Sequence, residues 1–90
     1  MLSVKPEDLV KLSNELISVG YNVRRHCCEY YVGDFEKFIC IIAVFSWWKE
    51  IHVYKVTKEP LPQNISKILT ELAEKYDLKL IIKDLKPELM

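Results

Sequence analysis

The chain has 90 residues, of which half are hydrophobic and 29% charged, with 13 basic residues balancing 13 acidic ones. That composition excludes a disordered polymer, and neutrality excludes coating nucleic acid or an anionic membrane by net charge, leaving room only for a local basic patch. No secretion-signal pattern opens the chain and no stretch could span a bilayer as a helix, so we expect one small cytosolic domain over residues 1–90.

The elements read clearly in chain order. Pro6, Glu7 and Asp8 mark a helix start, with acids at the positive end of the dipole. Leu9, Leu12, Leu16 and Val19 recur at helical spacing, and Gly20 suits the C-terminal cap. A long strand is expected over 21–32, followed by a two-residue hairpin turn at Gly33-Asp34. Residues 38–48 are apolar except for Ser46, which predicts a central strand, running from Phe35 to about Ser46 and buried on both faces. Helices on opposite sides of the sheet, or a partner, would supply that burial. Residues 47–50 turn the chain into a third strand over 51–57.

Pro60 and Pro62 break the sheet, and Ile65, Ile68, Leu69, Leu72, Ala73 and Tyr76 form the core stripe of a second helix that stops at Asp77. A last strand covers 79–85, with a loose tail over 86–90. The expected fold is therefore α/β (α+β), in the order α-β-β-β-α-β. Its four-stranded mixed sheet combines an antiparallel meander with one parallel crossover from strand three to strand four.

A turn at Gly33-Asp34 pairs residues whose numbers sum to 67, which places Cys27 opposite Cys40 at a non-hydrogen-bonded site. Their α-carbons would lie about 4.5 Å apart, close enough for a cross-strand disulfide. Asn and Gln are scarce (Asn14, Asn22, Asn64, Gln63), a thermophile-like bias that makes an intracellular disulfide admissible. The alternative is three small buried thiols. In this register Val23, Cys27, Tyr31, Phe38, Cys40, Ile42, Val44, Ile51 and Val53 share one face. Tyr30, Ile39, Ile41, Ala43, Phe45, Tyr54 and Val56 share the other. His26 and His52 flank the second strand, with no third group to complete a metal site. Trp47 and Trp48, beside Lys49 and Glu50, are candidate anchors for a partner. Arg24, Arg25 and Lys37, extended by Lys55 and Lys58, are candidate nucleic-acid contacts, with Tyr30 on the face of Arg24, His26 and Lys37.

The segment 15–25, with Glu15 in the helix, Gly20-Tyr21 at the turn and Arg24-Arg25 in the strand, resembles the opening of archaeal Holliday junction resolvases. Gly33-Asp34-Phe35 is similar to the turn that carries a metal-binding Asp in these restriction-endonuclease-like nucleases, and residues 52–58 are similar to their third strand. The resemblance implies a nuclease scaffold on which Asp34, Glu36, Lys55 and Glu15 would be catalytic around Mg²⁺. The acid required two residues before Lys55 is replaced by Val53, so the catalytic motif is degenerate. The leading expectation is a non-catalytic interaction protein that forms a homodimer without a cofactor or a membrane. The alternatives are a nucleic-acid-binding module and a metal-dependent nuclease.

Overall fold

The computed structural model describes residues 4–84; the tail expected over 86–90 lies outside the described residues. Helix α1 (Pro6–Ser18) is followed by strands β1 (Asn22–His26), β2 (Glu29–Gly33), β3 (Phe38–Phe45) and β4 (Glu50–Lys55), helix α2 (Gln63–Tyr76) and strand β5 (Lys79–Asp84). The strands form one mixed sheet in the order β1-β2-β3-β4-β5. The first four are antiparallel, and β5 runs parallel to β4, as the crossover through α2 requires. Among the described residues no helix is long and apolar enough to cross a membrane.

Helix α1 begins with Pro6 in its first turn and Glu7 and Asp8 behind it. It ends where Gly20 takes φ +104°. Gly20 N–H donates to the Ile17 carbonyl at 3.0 Å and Tyr21 N–H to that of Leu16 at 3.2 Å, the paired bonds of a Schellman cap. Helix α2 closes in the same way through Asp77, which holds φ +57° while Leu78 N–H reaches the Ala73 carbonyl.

The sheet has five strands, not four. The segment 21–32 folds back on itself at Cys27-Cys28, so that Val23 pairs with Val32 and His26 with Glu29. Cys27 accepts φ +55° at the tip, a conformation that glycine or asparagine adopts more readily.

Gly33-Asp34 is not a two-residue turn either. Residues 34–37 form a longer loop, closed by a 2.9 Å bond from Asp34 N–H to the Lys37 carbonyl. The Asp34 carboxylate accepts N–H bonds from Glu36 at 2.8 Å and Lys37 at 2.9 Å. Together these changes reset the register: Glu29 faces Ala43, Tyr30 faces Ile42 and Val32 faces Cys40. Pair numbers now sum to 72 rather than 67. An odd shift of this kind exchanges the faces of β2, and Tyr30 joins the core while Tyr31 leaves it.

Both helices pack on one face, against the expectation of opposite faces. Leu12 and Leu16 of α1 and Ile65 and Leu69 of α2 form one cluster with Tyr30, Val32, Cys40, Ile42, Val44, Ile51 and Val53, all at most 2% exposed. The helices run antiparallel and are joined at both ends. Tyr76 donates its hydroxyl to Asp8, and Lys75 sits 3.0 Å from the same carboxylate. At the other end Tyr21 donates to Asn64 at 2.8 Å. Tyr30 pins the sheet to α1 by donating to the Leu9 carbonyl at 2.7 Å.

Candidate interaction surface

The second face of the sheet carries no helix among the described residues. Strand alternation and the registers set its ladders. One row reads Arg24–Tyr31–Ile41–Tyr54–Lys83, the next His26–Glu29–Ala43–His52–Ile81, and a third Phe45–Glu50–Lys79. Aromatic rings dominate it. Phe45 meets His52 edge-on at 4.9 Å and lies 5.1 Å from Trp48, while Tyr31 contacts Phe38 at 6.3 Å and His26 at 6.0 Å. Lys83 reaches 5.7 Å over the Tyr54 ring. Ala43 stays buried without a helix above it, since Ile41, Phe45, Glu29 and His52 surround so small a residue.

The polar groups on this face are largely occupied by one another. His52 Nε2 lies 2.7 Å from Glu50 and its Nδ1 3.3 Å from the Tyr54 hydroxyl. A proton on Nε2 bonds the carboxylate and leaves Nδ1 to accept from tyrosine. Tyr31 donates to Glu29 at 3.1 Å, which raises its pKa. Hydrogen bonding and charge satisfaction within the layer leave its ring faces as the main feature offered outward.

Trp47 and Trp48 lie at one end of this face, in the turn between β3 and β4, and are 85% and 66% exposed. With Cys28, Val44, Phe45 and Ser46 they line an apolar groove of about 540 Å³. Lys49, at φ +57°, closes the turn through Ser46, and its carbonyl accepts from Lys79 N–H at 2.8 Å. Phe35, in the loop at the other end, is 95% exposed and shares a concavity with Arg24, Tyr31 and Phe38.

The proposed cysteine pair does not form. Cys27 is exposed at the hairpin tip, whereas Cys40 is buried opposite Val32, and all three cysteines are free. Burial pushes the Cys40 thiol up to about 12. His26 and His52 share a row, but Glu29 and Ala43 separate them. That is about three strand spacings of 4.8 Å.

The basic candidates are dispersed. Arg24 and Arg25 point to opposite faces, and Arg25 donates to the Cys27 carbonyl at 2.6 Å with its guanidinium over Tyr30. Arg24 and His26 share their face with Tyr31 rather than Tyr30. Lys37 pairs with Glu59 at 3.3 Å and Lys55 with Asp84 at 3.4 Å. Arg24 and Lys58 make no ion pair among the described residues.

The Mg²⁺ donor set is dispersed as well. Asp34 Oδ1 is spent on two backbone N–H groups, bonds that lower its pKa. Lys55 is held by Asp84 and by the Glu59 carbonyl at 3.1 Å. Glu15 lies between the two helices beside Lys11 and Glu71. Among the described residues no three His, Cys, Asp or Glu side chains are placed to share a metal ion.

No protein-family model matches the chain, and no curated protein or solved structure matches it either. Function is therefore read from the surface itself. Sequence reasoning placed Trp47 and Trp48 in the turn after β3 and Phe45 and Tyr54 on one face, as the structure does, but gave Phe35 no part and put Tyr31 on the opposite face. A phenylalanine inside a polar loop was the available signal for the first.

Proposed function

We propose that this chain is a non-catalytic interaction protein that self-associates through its helix-free sheet face. The observation that carries this reading is the placement of both helices on one side, which leaves the Tyr31, Ile41, Phe45, Tyr54 and Trp48 side without a covering layer among the described residues. Contiguous, partly exposed aromatic and aliphatic surface of this kind favours association. Five strands at 4.8 Å and about six residues per strand give a face of about 24 by 20 Å. That is about 480 Å² in projection, so an interface of the standard size, roughly 800 Å² per partner, must also take in the end loops. Light scattering across a dilution series, with tryptophan emission recorded in parallel, tests the reading. A dimer whose emission shifts to the red on dilution supports it, and Ile41→Glu should abolish that dimer. A monomer at every concentration would overturn it.

One observation favours a second reading. Tyr31 and Tyr54 share a ladder row with Arg24 and Lys83 at its ends, rings flanked by cations as on single-strand nucleic-acid platforms. Binding to single-stranded DNA or RNA at low salt, weakening steeply as salt rises, would support it. Absence of binding to single-stranded or branched probes at low salt would exclude it.

A further inference from the structure

The sheet face carries a knob at one end and a hole at the other. We propose that two copies stack face to face with their strands antiparallel, so that Phe35 of each enters the Trp47–Trp48 groove of the other. This geometry rests on the self-association reading and makes it specific.

Phe35 presents a nearly complete phenyl surface to water at 95% exposure. It is held there by a structured loop, because Asp34 bonds both Glu36 and Lys37. A ring displayed on a fixed turn loses little conformational freedom when it docks. On the helix-free side the groove offers apolar walls from Phe45 and the two indoles, while Cys28 and Val44, which face the helix layer, line its far side.

Their placement in the sheet matches. The knob sits on the loop joining β2 to β3. The groove lies between Cys28, which begins the return into β2, and the turn that leaves β3; Val44 N–H donates to the Cys28 carbonyl across this gap at 3.0 Å. Knob and hole therefore lie over the same pair of strands, separated by the length of β3. A two-fold axis in the plane between the sheets and perpendicular to the strands reverses strand direction while keeping strand order. It brings Phe35 over the groove of the second copy without a sideways shift, and the same operation fills the other groove. An axis along the strands would instead set Phe35 against Phe35 and leave both grooves empty.

Charge agrees with the antiparallel arrangement. Asp34 and Glu36 flank the knob, and Lys37 and Lys55 at that end are already paired with Glu59 and Asp84. Lys49 flanks the groove, where Glu50 is engaged by His52. Arg24, beside the knob, comes over the end of the partner sheet that carries Glu29. Aligned sheet packing at about 10 Å accommodates the stack.

The decisive experiment places a benzophenone amino acid at position 35 of the full chain and irradiates a mixture of isotopically heavy and light protein. Heavy-to-light adducts mapped to residues 44–48 are expected. Adducts to residues 34–37 of the other copy, or none in a protein that dimerises, would overturn the antiparallel stack. Phe35→Ala provides an independent readout: the residue is exposed, so the fold persists, and the dimer dissociation constant should rise at least about 10-fold. A wild-type monomer removes the self-association reading and this one together. A dimer lost in Ile41→Glu but unchanged in Phe35→Ala keeps the former and removes only the latter. Growth into filaments with concentration would mean head-to-tail insertion, which also overturns the closed pair.

Discussion

Truncating two adjacent isoleucines of β3 separates its faces energetically. Ile42 lies under both helices at 0% exposure, whereas Ile41 looks out from the helix-free face and is half-buried. Ile42→Ala removes three carbons worth about 2.4 kcal/mol of transfer free energy at ~0.8 each. A residual cavity of about 50 Å³ adds roughly 1.2 kcal/mol, for a loss near 3.6. Ile41→Ala forfeits about half the transfer energy, roughly 1.2 kcal/mol, and leaves no cavity because water enters. A domain of this length has a total stability of about 5–13 kcal/mol. At about 5 °C per kcal/mol, Tm should fall by roughly 18 °C and 6 °C respectively. Thermal unfolding followed by circular dichroism at low micromolar concentration measures both. If copies associate through the helix-free face as proposed, raising the protein concentration should enlarge the Ile41→Ala deficit alone. Equal losses, or a larger one for Ile41, would show that the face assignment is wrong.

Other expectations follow from single side chains. In the native protein at pH 8, iodoacetamide should modify Cys27 first and Cys28 more slowly, with Cys40 reacting only in denaturant; a native adduct on Cys40, read by mass spectrometry, would refute the register of β2 against β3. The bond from Tyr76 and the Lys75 ammonium hold Asp8 below its ordinary value of 3.8, and the bond to Asp8 holds Lys75 above 10.5. Stability from Asp8 is therefore present above pH 3.8 and lost as pH falls through its lower folded value, while that from Lys75 is present below pH 10.5 and lost as pH rises through its higher one. Asp8→Asn should flatten part of the acid limb of a Tm–pH profile, with Asp34 supplying the rest; an unchanged profile would remove the helix-pairing role. Gly33→Ala would set a Cβ 2.9 Å from the Lys37 carbonyl oxygen and 3.4 Å from Phe38 Cα. Both obstacles are backbone, so a loss of about 1–3 kcal/mol is expected in urea unfolding; a neutral result would contradict the 34–37 loop. Tyr76→Phe removes bonds to Asp8 and from Lys5 N–H, and should cost about 1 kcal/mol in the same assay.

Local signals carried much of the fold. Pro6 and Gly20 bounded α1, the stripe from Ile65 to Tyr76 located α2, and the 38–48 run located β3, because each rests on periodicity or on a conformation one residue type prefers. The β4–α2–β5 crossover followed from chain connectivity. The hairpin at Cys27-Cys28 sent no such signal: neither residue is a turn former, and Cys27 adopts a positive φ that its type disfavours. Gly33-Asp34 did resemble a turn, but the Asp34 carboxylate bonds Glu36 and Lys37 N–H and draws out a longer loop. Moving one turn and adding another shifted the register by an odd number. That change separated Cys27 from Cys40 and exchanged Tyr30 with Tyr31.

The sequence by itself determined that β3 is apolar on both sides, that two amphipathic helices exist to cover apolar surface, and that two tryptophans occupy a turn. Only the tertiary structure decided which surface each helix covers. Burial of apolar area has no direction, so a helical stripe specifies that it must be covered and not by what. The choice falls to contacts distant in sequence: Tyr76 and Lys75 on Asp8, Tyr21 on Asn64 and Tyr30 on the Leu9 carbonyl. Those contacts draw both helices onto one face and leave Tyr31, Tyr54, Phe45 and Trp48 on the other.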